Sequence, residues 1–231
     1  MGVGAGDAIN TGSSNVALGR SALTSDTKGS RSTALGHGTL VIQNLTTATD
    51  AYNVAVGMNA GTNITTGVQN TLLGSLTGDA LTDADSNVAV GYNALSADTL
   101  GSRSVAVGRG ALATQNFTTA TNNYNVAVGY DTAAYVTTGK YNTVVGSLAG
   151  DAMTTGEANT FIGYNAAGAG TTTGSNNVGI GNTALEDVTS GANNTAVGTI
   201  AGQNVTSGAN NLFLGRDAGI TGSPGGNVTT A

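Results

Sequence analysis

A short apolar run recurs along the chain, and a longer polar stretch separates each run from the next. In its plainest form the run reads Asn53-Val54-Ala55-Val56-Gly57. Its glycine returns as Gly19, Gly36, Gly57, Gly74, Gly91, Gly108, Gly129, Gly146, Gly163, Gly181, Gly198 and Gly215. Successive anchors lie seventeen positions apart, except for two steps of twenty-one (Gly36 to Gly57, Gly108 to Gly129) and one of eighteen (Gly163 to Gly181). Counted from this anchor glycine, position −1 is always a large aliphatic and −3 is Val, Thr or Leu. Position −2 is usually Ala, with Leu72, Val144, Phe161, Gly179 and Phe213 as exceptions. Alternation around β-branched residues predicts a short strand, with −1 and −3 on one face and −2 on the other. Position +3 is Ala or Thr throughout, and +4 is often Leu, Gly or Ala, which suggests a second, weaker strand after the glycine. The remainder is Thr, Ser, Asn, Asp and Gly, the chemistry of turns. The anchor glycine either supplies a positive φ at the strand end or lets a neighbouring backbone approach closely.

A second, four-repeat period lies above the first: Gly19 to Gly91 and Gly57 to Gly129 are equal steps of seventy-two. Gly29-Ser30-Arg31-Ser32 returns as Gly101-Ser102-Arg103-Ser104, and Gln43 to Gly57 returns as Gln115 to Gly129. The chain reads as one repeat domain, 1–231. It holds a partial coil at 1–14, duplicated four-repeat blocks at 15–86 and 87–158, and further coils with a partial one at 159–231. Asn227-Val228 begins a thirteenth repeat.

Short tandem units with short strands predict an all-β fold, a parallel β-roll or β-solenoid of about twelve coils. A three-sided hexapeptide helix needs an aliphatic at every sixth position. Thr24, Thr62, Asp79 and Ser96, six beyond Leu18, Val56, Leu73 and Val90, disfavour it. Both strand faces are apolar, the pattern of a strand covered on both sides. One face is therefore expected to line the coil and the other to pack against neighbouring chains, with small Ala at −2 and +3 permitting approach near an axis. At about 4.8 Å per strand, twelve coils predict a rod of roughly 60 Å.

Composition narrows the function classes. The chain has no Cys and one His, and a net charge of −6. Disulfides, Cys-based zinc sites and His-based triads are excluded, and a sequence pI near 4.3 argues against nucleic acid or an anionic membrane as partner. No apolar run is long enough to span a bilayer. The first residues, Met1 to Asp7, lack the basic and apolar regions of a signal peptide and the Ser/Thr of a myristoylation motif.

The phrases Ser104-Val105-Ala106-Val107-Gly108 and Asn87-Val88-Ala89-Val90-Gly91 resemble the head repeat of trimeric autotransporter adhesins (YadA-like). That motif reads Ser-Val-Ala-Ile-Gly-x-x-Ala. Similar Asn-Thr-Ala-Val-Gly repeats occur widely in bacteriophage tail fibres. The resemblance covers essentially the whole chain and implies a left-handed parallel β-roll intertwined as a homotrimer. It is far less specific for function, because one fold hosts many tasks. The repeats are somewhat longer than the family's, and the signal peptide, coiled-coil stalk and membrane anchor of a complete autotransporter are not seen. The reading is therefore a structural, adhesive fibre of a virion, a tail fibre or spike. Its partners are itself as a homotrimer, other fibre proteins at the rod ends, and a host glycan or protein, without nucleic acid or membrane insertion. The alternatives are a bacterial surface adhesin head and an ice-binding solenoid. The last wants Thr at one site in every coil, and position −3 is Thr only at 33, 71, 143, 160 and 195.

The receptor-contact candidates lie in the two long repeats. The loops 43–52 and 115–124 are expected to protrude, as insertions in repeat arrays do. Tyr52, Phe117 and Tyr124 lie there, and Tyr92, Tyr130 and Tyr164 follow anchor glycines. Their rings suit contact with sugar or protein; the other reading is that they pack between turns and stiffen the rod. On the first reading, Ala at Tyr52, Phe117 and Tyr124 changes host attachment. No catalytic residues, cofactor or metal are assigned. Gly108-x-Gly110-x-x-Ala113 and Gly179-x-Gly181-x-x-Ala184 match a dinucleotide fingerprint but belong to the repeat and lack its helix. Asp83, Asp85 and the pair Glu186-Asp187 read as turn residues before calcium ligands. His37, aligned with Arg109, reads as a surface turn residue. The Asn-x-Thr sequons at 44, 63, 116, 193, 204 and 227 are expected by chance in so Asn/Thr-rich a chain.

Overall fold

The computed structural model describes residues 2–220; the start of a thirteenth repeat and the sequon at Asn227 lie outside the described residues. The chain is all-β, a parallel β-solenoid of about twelve coils, one to each sequence repeat, with no helix among the described residues. It divides into two compact units, 1–123 and 124–231. The division falls within the second long repeat rather than at the 86/87 duplication boundary.

The first unit holds β1 (Val16–Leu18), β2 (Gly29–Ser30), β3 (Thr33–Leu35), β4 (Thr49–Asp50), β5 (Val54–Val56), β6 (Thr71–Leu73), β7 (Val88–Val90), β8 (Gly101–Ser102), β9 (Val105–Val107) and β10 (Thr121–Asn122). Strands β1, β3, β5, β6, β7 and β9 stack in parallel with equivalent residues in register, so that Ala55 lies between Ala34 and Leu72. The two-residue strands pair separately, β2 with β4 and β8 with β10. The second unit holds β11 (Val126–Val128), β12 (Thr143–Val145), β13 (Thr160–Ile162), β14 (Val178–Ile180), β15 (Thr195–Val197) and β16 (Leu212–Leu214), stacked the same way.

The anchor glycines meet both demands the sequence posed. All twelve have φ between 102° and 145°, a region that favours glycine. They also stack closely: a Cβ on Gly57 or Gly146 would strike the carbonyl of the next anchor, Gly74 or Gly163. A second glycine column, Gly139, Gly156, Gly174 and Gly191, has no such φ, yet a Cβ on each would strike the next glycine's carbonyl. Here close approach alone selects glycine.

The second strand expected at +3 and +4 does not form. That segment is a turn in which +2 and +4 take left-handed φ, as at Asn93 (60°) and Leu95 (53°). Its backbone still bonds between coils: Asn93 N–H donates to Ser75 O at 3.2 Å and Leu95 N–H to Ala111 O at 3.0 Å. The chain thus satisfies its backbone groups without an extended conformation.

The orientation of the two faces also differs from the expectation of Ala near an intersubunit axis. Positions −2 and +3 point into the coil's own interior: Ala34, Ala55, Ala89, Ala106 and Ala127 are fully buried, and so are Ala60 and Ala94. The outward residues are the large aliphatics, with Val16 at 54%, Leu18 at 48% and Leu214 at 61% exposure. The reason is volume. So short a coil encloses a narrow space, and position +4 already fills it with Leu23, Leu40, Leu95, Leu112 or Leu185. Where −2 is large, +4 is small in that coil or its neighbour. A Cβ on Gly61 or Gly78 would collide with Leu72, and one on Gly202 or Gly219 with Phe213. The pattern is close packing at constant volume.

Candidate interaction face

Position −4 explains why the coils hold their shape. Asn53, Asn70, Asn87, Asn125, Asn142, Asn159, Asn177 and Asn194 are all buried there. In each coil the Asn Oδ1 accepts from the backbone N–H of the next −4 residue, as from Asn159 N to Asn142 Oδ1 at 2.9 Å. Its Nδ2 crosses the interior to a carbonyl on the opposite wall: Asn142 to Gly156 O at 2.9 Å, Asn177 to Gly191 O at 2.8 Å. A buried amide with both ends bonded sets coil spacing and coil width at once. The asparagine of the repeat phrase is therefore a core brace rather than turn chemistry.

Ser32 and Ser104 take this position in two coils, and a different network replaces the brace. Asp26, fully buried, accepts from the N–H of Gly29 at 3.0 Å and of Leu45 at 3.1 Å, and from Gln43 Nε2 at 2.6 Å. Gln43 Nε2 also donates to Ser32 Oγ at 3.1 Å, and its Oε1 accepts from Asn53 at 2.8 Å. The duplicate repeats this: Asp98 accepts from Gly101 N–H at 3.1 Å, Phe117 N–H at 2.9 Å and Gln115 Nε2 at 2.6 Å. Burial pushes the Asp98 carboxyl above its ordinary range, and these hydrogen bonds only partly oppose it. Besides Phe117 in place of Leu45, a second substitution separates the copies of this network. Asn123 replaces Ala51; it accepts from Ser104 Oγ at 2.6 Å, and its buried Nδ2 has no partner.

Each strand presents −3 and −1 outward over this braced interior. Leu35 (39%), Leu73 (36%), Ile162 (37%) and Val197 (37%) continue the ladder begun by Val16 and Leu18. Two exposed columns border it, one at −5 and one at +1. Tyr52 and Tyr124 lie at −5, and Tyr92, Tyr130 and Tyr164 at +1, each 46–54% exposed. Tyr141 at −5 also belongs here, a residue the sequence reading passed over. Several of the −5 rings pack between coils. Arg31 lies over the Tyr52 ring at 5.5 Å, donates to its hydroxyl at 2.9 Å and pairs with Asp50 at 3.1 Å. Tyr124 and Tyr141 stack with centroids 6.0 Å apart and planes inclined by 16°.

The long loops protrude less than expected. Gln43, Leu45, Ala51, Gln115 and Phe117 are buried, and β4 and β10 pair with β2 and β8. Phe117, 6% exposed, is a core anchor of its loop and is not offered to a ligand, which corrects its assignment as a contact residue. What stands clear are the tips Thr46-Thr47-Ala48 and Thr118-Thr119-Ala120.

The acidic candidates serve local structure. Asp83 Oδ1 accepts from Thr66 Oγ1 at 2.7 Å and Asp85 Oδ1 from Val68 N–H at 2.8 Å, each tying one coil to the next. Glu186 bridges Asn165 and Gln203. His37 Nε2 lies 2.7 Å from Arg20 Nη2 on the surface. No group of three metal-ligating side chains occurs among the described residues, and no helix there is long and apolar enough to cross a membrane. Comparison with protein-family models, curated proteins and solved structures gives no match to this chain.

Proposed function

We propose that this chain is a structural fibre protein of a bacteriophage virion, a homotrimer that holds surface loops for multivalent attachment to a host. One observation carries the reading: an outward ladder with a large aliphatic at −1 of every coil and Val, Leu or Thr at −3, over an interior that other side chains have already filled. A monomer rarely exposes a contiguous apolar patch beyond roughly 300–600 Å², and each of the six stacked coils in either unit carries a large aliphatic at −1 beside Val, Leu or Thr at −3. The ladder also has a period, one coil per step. A partner that covers it along its length needs the same period, and a second copy of this chain has it. The resemblance of the repeat phrase to trimeric adhesin heads supports a copy number of three. Asn194-Thr195-Ala196-Val197-Gly198 matches the phage tail-fibre version residue for residue.

In this reading host attachment falls to the tips at 46–48 and 118–120. Three chains present six tips, and weak contacts made together add by avidity. Light scattering at low concentration is expected to give a mass three times that of the 22.4 kDa chain. Replacing both tips by Gly-Ser of equal length is expected to lower adsorption to host cells at least tenfold with that mass unchanged. A monomeric mass overturns the fibre reading, and unchanged adsorption overturns the role of the tips.

A further inference from the structure

We infer that the tyrosine and arginine columns bordering the apolar ladder are the rim of the contact between copies of this chain, and not receptor contacts. The inference rests on the homo-oligomeric reading above and assigns its residues.

The composition of the face carries the argument. Six of the seven tyrosines lie at −5 or +1: Tyr52, Tyr92, Tyr124, Tyr130, Tyr141 and Tyr164; Tyr135 alone lies elsewhere. All five arginines occupy the same two columns, as Arg20, Arg31, Arg103, Arg109 and Arg216. His37 and Met58 are there too, and none of the 13 carboxylates is found at −5, −3, −1 or +1 in any of the twelve repeats. An apolar centre bordered by Tyr, Arg and Met, with Asp, Glu and Lys depleted, is the composition that separates a protein–protein contact from ordinary surface. In a chain with net charge −6, two columns holding five arginines and no carboxylate of their own, although Asp50 and Asp217 beside them pair with Arg31 and Arg216, also complement the acidic remainder of a second copy.

Backbone geometry supports the same assignment. Position −5 is left-handed in every coil, with φ of 50° at Tyr52, 52° at Tyr124 and 62° at Tyr141. Asn tolerates that conformation better than other residues with side chains, and the three later coils use it: Asn176, Asn193 and Asn210. Tyrosine there works against local preference, so its side chain is what the position needs. The rings are half exposed in the single chain, at 46–54% for the six, which leaves area for a partner to cover.

Nitration with tetranitromethane tests this on the intact chain without any substitution. The chain has no Trp and no Cys, so tyrosine is the main target, and Tyr135, 61% exposed and off the face, is an internal control. In the native oligomer, peptide mapping is expected to find Tyr135 modified and the six column tyrosines at least tenfold slower. In urea all seven are expected to react alike. An oligomer in which the six react within twofold of Tyr135 overturns this inference and leaves the homo-oligomer standing. A monomeric mass by light scattering overturns the reading beneath it. Protection that appears only with added dextran sulfate assigns the face to an anionic ligand and overturns the inference as well.

Discussion

In the regular coil that carries β12, Asn142 spans the interior from Asn159 N–H to Gly156 O. In the long coil of the first unit, Ser104 holds the same position and is too short to cross. The span is made instead by Asp98, Gln115 and Asn123, which reach inward from the lengthened loop and its neighbour. The regular coil uses one neutral amide, with two donors and two acceptors, that ties its coil to the next. The long coil uses a buried carboxylate that takes two backbone donors and an amide at once. Gln43 and Gln115 stand seven after their anchor glycines, where regular coils bury Ile64, Leu81 or Met153, so this polar substitution, the extra loop length and the Asn-to-Ser change occur together, around 32 and again around 104. Exchange of a short neutral brace for a charged network lets a loop grow without breaking the stack, but it ties that coil's stability to protonation.

The largest way to break the comparison is Asp98→Ala. It strands the N–H groups of Gly101 and Phe117 and the amide of Gln115 inside the coil. Orphaned buried donors cost about 1–3 kcal/mol each, and a total loss of about 3–5 kcal/mol in chemical unfolding is expected. A loss below about 1 kcal/mol would mean that the network is not the brace. Next in size is Asn142→Ala, which strands one N–H and one carbonyl, those of Asn159 and Gly156. A loss of about 2–4 kcal/mol is expected, smaller than for Asp98→Ala measured on the same chain. The reverse order would show that the neutral brace is the stronger one.

The smallest effect separates charge from shape. Asp98 titrates above its ordinary value in the folded chain because burial disfavours the carboxylate. A carboxyl raised on folding takes up a proton as the chain folds. Its contribution is full below the unfolded value of about 3.9 and is lost as pH rises through the folded one. Wild type is therefore expected to gain stability relative to Asp98→Asn as pH falls through the raised value toward the unfolded one, and to show no change above it. Thermal unfolding of the two proteins across pH 4–7 checks it. A difference that does not change with pH would place the folded carboxyl at its ordinary value.

Much of the coil was legible because its demands are local. A glycine at a fixed offset from Val-Ala-Val predicts a strand ending at a special backbone position, and Gly57 and Gly146 prove to need both the positive φ and the close approach. The turns at +2 and +4 were missed because leucine at +4, as in Leu95, is an unusual residue for a left-handed φ. Packing holds it there: the side chain fills the coil's interior. The brace was missed for a related reason. Asn is common in turns, and only its recurrence one residue before each strand separated Asn142 from the other asparagines. Phe117 was misplaced because an inserted loop is usually a surface loop, while this one tucks its aromatic residue beneath itself.

The sequence by itself determined the period, the strand before each anchor glycine, that glycine column and the presence of two apolar faces, because each follows from spacing and side-chain type. It could not decide which face is inside. Alternation states only that −2 opposes −1 and −3, and both sides are apolar. Tertiary structure decided it through volume: the interior of a coil made of a single short repeat is filled by the residues at −2 and +3, those at +4, the asparagines and a further apolar column that includes Ile64, Leu81 and Met153. The aliphatics at −1 are left outside, and with them the tyrosines and arginines that share their face.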